Sequence, residues 1–222
     1  MTQKILILGA GGNSIDILDT LNDLNDARGE RVYECVGFLD DDAKQWGREI
    51  LGARVLGGLD RAPQYANCFF VNGIVSVNNF WRKRDIIART QMPRERFATI
   101  VHPTASVSRT AQIGNGVVIF QNVTITSNVV IGDHVIVLPQ TVISHDNVIG
   151  DYTSIAGGVI ISGGVRVGEA CYLGANASVK DGVVIGAGSL IGMGSVVLKN
   201  VAANTVVVGN PARELRKTRP ET

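Results

Sequence analysis

The chain lacks a large net charge of either sign, a cysteine framework and any long apolar run. Lys plus Arg number 21 and Asp plus Glu 20 among 222 residues, so no general electrostatic pull toward nucleic acid or an anionic membrane exists, and binding must be local. Cys35, Cys68 and Cys171 are an odd, scattered set without a CxxC pair. That argues against a disulfide scaffold and a zinc site, and fits a reducing compartment. The apolar run in MTQKILILGAGG stops at glycines, and no stretch approaches the roughly 20 apolar residues that span a bilayer. The expectation is a cytoplasmic protein, long enough to bury a sizeable core in one or two domains.

What is present is a repeat. Stepping by six from Val101 through Val107, Ile113, Ile119 and onward to Ile191 and Val197, every residue is aliphatic. A period of six fits neither the 3.6 of a helix nor a simple hairpin series. A second beat of eighteen lies over it, in Ile113-Gly114, Ile131-Gly132, Ile149-Gly150, Val167-Gly168 and Ile185-Gly186. Three sixes make one coil of a triangular parallel β-helix. Every sixth residue fills the prism, and Gly, Asn and Asp take corners that need positive φ. Successive coils pair at the usual strand spacing of about 4.8 Å.

The first half reads differently. KILILGAGGNSIDILDTL, residues 4–21, predicts a buried strand, a glycine turn and a helix with Ile15, Ile17, Leu18 and Leu21 on its apolar side. Backbone N–H groups at such a turn suit an anionic ligand at the helix N-terminus. Gly9, Gly11 and Gly12 are followed by Asn13 and Ser14 where a full dinucleotide fingerprint has a further glycine. ECVGFLDDD predicts a second strand ending in Asp40, Asp41 and Asp42, placed to accept hydrogen bonds from a ribose or base, or else to cap a turn. CFFVNGIVSVNNFWRKRDIIA adds a strand, a loop with Asn78 and Asn79, and a basic helix start. The expected division is a Rossmann-like unit over residues 1–95 and the β-helix with its tail over 96–222.

This pattern resembles the hexapeptide-repeat acyltransferases, whose β-helices wind left-handed. With the N-terminal unit, it resembles the sugar acyltransferases that include bacillosamine-type N-acetyltransferases and sialic acid O-acetyltransferases. The resemblance implies a nucleotide-activated amino sugar held by the first unit, through Gly9, Gly11, Gly12, Asn13, Asp40, Asp41, Asn78 and Asn79. It implies acetyl-coenzyme A as co-substrate on the β-helix, a homotrimer with the coenzyme between prisms, and no metal. The matching histidine is His145, with Asp146 beside it, in TVISHDNVIG. With Ile143 inward, both lie at the outer wall of the coil. A neutral imidazole, with an ordinary pKa near 6.5, takes a proton from an attacking amine near neutral pH, and a carboxylate orients it. The resemblance further assigns the oxyanion contact to the Gly163 N–H and a donor to Ser154, where some members have histidine. It assigns coenzyme contacts to Gly192 and Gly194 and to Pro211 and Arg213 in VVVGNPARELRK. The expected reaction is acetylation of a UDP-linked 4-amino-4,6-dideoxy sugar, with O-acetylation of a sialic acid or related sugar as the alternative.

Three rivals are weaker. A zinc-dependent carbonic anhydrase of the same superfamily needs converging histidines, but His102, His134 and His145 fall on different parts of the eighteen-residue coil. Hydride transfer needs the complete glycine fingerprint. A non-catalytic sugar-nucleotide sensor would bind without turnover.

Overall fold

The computed structural model describes residues 2–218; the last four residues of the expected second segment lie outside the described residues. β1 (Gln3–Leu8) is central, and its Ile5, Leu6, Ile7 and Leu8 are fully buried. α1 (Gly12–Arg28) follows at once and ends on Gly29 in the left-handed conformation, the usual helix stop. β2 (Tyr33–Leu39), β3 (Glu49–Ile50), β4 (Ala53–Gly57), β5 (Phe69–Asn72) and α2 (Lys83–Ala88) complete the unit. The sheet order is β3-β4-β2-β1-β5. All neighbours are parallel except the β3–β4 pair.

From Ile100 the chain winds as a triangular prism. Strands of two residues are separated by four-residue corners, and each pairs in parallel with the strand eighteen residues on, as in Thr124↔Val142 and Val142↔Ile160. The second residue of each strand is the predicted inward column, and with its partners it forms one continuous core. A second inward column was not foreseen: Val117, Val123, Val129 and Val135 point inward from the corners, followed by Thr141, Asn147 and Thr153. The polar members are buried because they satisfy corner backbone. Asn147 donates to the Ser144 and Ser162 carbonyls and accepts from the Val165 N–H. The left-handed corner positions recur every six residues from Gly116 to Gly194, and they hold His134, Gln140, Tyr152 and Ala170 as well as Gly, Asn and Asp.

The three faces are unequal. On the first face, which begins with Ile100–Val101, the outward residues Ile100, Val118 and Ile136 are at most 1% exposed and join the core of the N-terminal sheet. The second and third faces carry outward Ile160, Val130 and Val184 in the open. Polar contacts close the seam at both edges of the covered face: Asp23 of α1 meets His102, and Arg94 meets Asp133. No described helix is long and apolar enough to cross a membrane.

Candidate active site

His145 lies at the corner between the second and third faces, opposite the covered one. Its Nδ1 is 2.8 Å from Asp146 Oδ2, a contact that sequence adjacency did not guarantee. Asp146 takes it up because it occupies the left-handed corner slot, φ 59, which turns its side chain back along the wall. The hydrogen bonds from His145 and then Asn128 hold the Asp146 carboxyl below the usual carboxylate range. With Nδ1–H donated to the carboxylate, Nε2 is left as the proton acceptor. Both side chains are more than half exposed.

Gly163 lies one coil on, in the same corner slot. A Cβ there would come within 2.6 Å of the His145 ring, so the glycine makes room for the imidazole. Its N–H, expected to serve an oxyanion, donates instead to Asp181 Oδ1 at 3.1 Å. In this structure the amide has an anionic acceptor from the next coil.

Ser154 is corrected. The eighteen-residue frame puts it on the covered first face, where it is 1% exposed and accepts a hydrogen bond from Lys83 Nζ at 2.7 Å. It has no path to a thioester near His145 in the same chain. Lys83 is the residue that sequence reasoning missed here. It is buried with three oxygen acceptors, the His134 and Thr153 carbonyls and the Ser154 hydroxyl, and burial lowers its pKa to about 7.

Of the predicted ligand residues of the first half, Asp40, Asp41 and Asn79 share one cleft. Gly11 caps α1 with extended backbone and no side chain, and a Cβ on Gly11 or Gly12 would meet nothing within 4 Å. Asn13 is half-exposed in the first turn. Gly9 is different: φ is +90 and a Cβ would strike Ile74 Cγ1 at 2.8 Å, so it serves chain packing. Asp40 accepts from the Ala10 N–H at 2.7 Å and ties the glycine turn to the end of β2. Asp41 accepts from the Leu59 N–H and pairs with Arg89 at 2.6 Å. A cleft of about 280 Å³ is lined by Asp40, Asp41, Ile74, Asn79, Arg82, Ile86 and Arg89. Arg82 and Arg89 were visible in the sequence only as a basic helix start. The Asn78-Asn79 pair is split, since Asn78 lines a separate crevice with Val77, Trp81 and Arg216.

The coenzyme residues expected toward the C-terminus are spread. Gly192 and Gly194 form a corner between the first and second faces. A Cβ on Gly192 would meet Val208 Cγ1 at 2.7 Å, whereas Gly194 is open at φ +66. Pro211 sits in the turn joining the antiparallel strands Thr205–Val208 and Arg213–Lys217. Arg213 is exposed beside a cleft that also includes Lys199. Among the described residues no group of three or more His, Cys, Asp or Glu is gathered to hold a metal ion.

The model of the bacterial transferase hexapeptide (six repeats) matches residues 110–145 and 164–199. No curated protein matches the chain by sequence. PerB from Caulobacter crescentus, solved with CoA and GDP-perosamine, is 26% identical with a TM-score of 0.81, over 97% of this chain and 99% of its own. WeeI from Acinetobacter baumannii is 25% identical with a TM-score of 0.78, over 96% and 100%. The acetyltransferase domain of PglB from Neisseria gonorrhoeae, at 24% identity and a TM-score of 0.82 over 96% and 100%, shares the fold. The chain thus carries the bacterial transferase hexapeptide repeat, and its likeness to solved sugar N-acetyltransferases runs through both halves.

Proposed function

We propose that the protein transfers the acetyl group of acetyl-coenzyme A to the amino group of a nucleotide-linked amino sugar, with His145 as general base. The carrying observation is the His145–Asp146 contact at 2.8 Å with Nε2 left over, on the open corner of a hexapeptide prism. The amine nitrogen attacks the thioester carbonyl carbon, the C–S bond breaks, and Nε2 takes the amine proton before passing it to the departing thiolate. No acyl-enzyme is needed. The likeness to PerB, solved with CoA and GDP-perosamine, supports both substrate classes.

In this reading residues 1–95 are a Rossmann-like nucleotide-sugar domain and residues 96–222 a left-handed β-helix domain, in a cytoplasmic enzyme. The cleft with Arg82 and Arg89, tied to the glycine turn by the hydrogen bond from the Ala10 N–H to Asp40, suits a diphosphate. Arg82 and Arg89 bracket α2, whose Lys83 is buried against Ser154 of the covered face, whereas His145 stands at the opposite corner. A sugar held in the cleft of one chain therefore meets the histidine of another, which agrees with a homotrimer whose uncovered apolar residues pack between prisms.

The test follows thiol release from acetyl-coenzyme A with UDP-, dTDP- and GDP-linked amino sugars, the UDP-linked 4-amino-4,6-dideoxy sugar first. His145→Ala is expected to lower kcat about 10²–10⁴-fold, the usual contribution of a general base. Wild-type turnover in that variant, or tight nucleotide-sugar binding without transfer to any acceptor, contradicts the reading.

A further inference from the structure

We propose that Asn128 is a positioning residue for the base: its side-chain amide holds the Asp146 carboxylate so that the second carboxylate oxygen stays on His145. The inference rests on the reading of His145 as general base.

Asn128 stands one coil before Asp146 in the same left-handed slot, at φ 58 against 59. Its Nδ2 donates to Asp146 Oδ1 at 3.1 Å, while Oδ2 meets His145 Nδ1 at 2.8 Å. The facing carboxylate only accepts, so the amide must turn its nitrogen toward it. Asn128 is itself anchored, since its backbone N–H donates to Thr110 Oγ1 at 2.9 Å one further coil back. A ladder thus runs down the corner from Thr110 through Asn128 and Asp146 to the imidazole.

The need for such a ladder follows from exposure. The His145 and Asp146 side chains are 62% and 56% exposed, so no packing fixes them, and an open ion pair is held weakly. The terminal torsion of an aspartate is broad. Tying one oxygen to Asn128 limits that rotation and leaves the other aimed at Nδ1. Arg109, Lys180, Asp181 and Lys199 share this corner, yet among the described residues Asp146 is the one carboxylate hydrogen-bonded to the ring.

The test is Asn128→Gly, which keeps the left-handed backbone at no steric cost and removes the amide. Expected are a fall in kcat of about tenfold, typical of a lost supporting hydrogen bond, and an unchanged KM for acetyl-coenzyme A. The acid limb of the pH–rate profile should move in the same direction as in Asp146→Asn. Adding Asn128→Gly to Asp146→Asn should cause no further loss, because the two act through one contact. Asn122→Gly is the matched control: φ is again 58, and its N–H donates to Thr104 Oγ1 at 3.1 Å at a different corner. It should keep wild-type kcat. Asn128→Asp, which puts a carboxylate against Asp146, should lose at least as much as Asn128→Gly. Wild-type kcat and pH profile in both Asn128 variants, with His145→Ala inactive, overturn this proposal alone; full turnover in His145→Ala overturns the base and Asn128 with it.

Discussion

An ideal Cβ built on Gly163 stands 2.6 Å from His145 Cε1 and 2.8 Å from Nε2, closer than a side-chain carbon approaches a ring. The imidazole is exposed and held by one hydrogen bond, so Gly163→Ala is expected to displace it rather than unfold the coil. The predicted result is a kcat/KM reduced toward the His145→Ala level, about 10²-fold or more, with a melting temperature near wild type. A matched loss of melting temperature would instead make Gly163 a folding residue. The sextet pattern made the wall position of His145 legible, because Ile143 fixes the frame. The fates of Ser154 and the Gly163 N–H were not legible, because each depends on a side chain distant in sequence. Lys83 reaches Ser154 from 71 residues away, and Asp181 reaches Gly163 from the next coil.

Between elements, the seam joining α2, the Phe97 segment and the prism is expected to be sensitive to acid. His134 occupies a left-handed corner at φ 56, stacked on Tyr152 with ring centroids 5.3 Å apart and edge-on to Phe97 at 4.7 Å. Among the described residues its buried Nδ1 has no partner, and burial lowers its pKa from 6.5 to about 4. The native state therefore excludes a proton that the unfolded chain accepts. Stability should fall as pH drops from about 6.5 to about 4, by up to about 3 kcal/mol from this group. Urea unfolding at pH 7 and pH 4.5 measures the effect. His134→Asn, which suits the left-handed slot and does not titrate, should shrink the difference; an equal difference in the variant would show that other groups carry it. Here the sequence showed the corner but not its neighbours. Six-residue periodicity locates residues on the prism and is silent about the face that the N-terminal sheet covers. The same limit hid the second inward column, since Thr141, Asn147 and Thr153 break its apolar run while satisfying corner backbone.

For the whole molecule, the proposed function makes assembly part of catalysis. Lys83 of α2 is buried against Ser154 of the covered first face, and the His145 corner lies across the prism, so in the proposed reading the cleft and the histidine that serve one sugar belong to different chains. If neighbouring prisms complete each other's sites, two differently damaged chains should rescue one another. Gly11→Asp is the useful damage in the first half. The extended backbone of Gly11, at φ −88, accepts any residue, aspartate caps a helix well, and its charge repels a phosphate. His145→Ala is the damage in the second. Each alone should be nearly inactive. Unfolded and refolded together in equal amounts, they should recover about a quarter of wild-type activity, because random mixing gives that fraction of sites an intact cleft from one chain and an intact histidine from its neighbour. Light scattering on the same mixture should give the mass of a trimer. Trimers that remain inactive after mixing, with both variants folded, would mean that cleft and histidine of the same chain serve one sugar, and the path between them would then have to run around the prism.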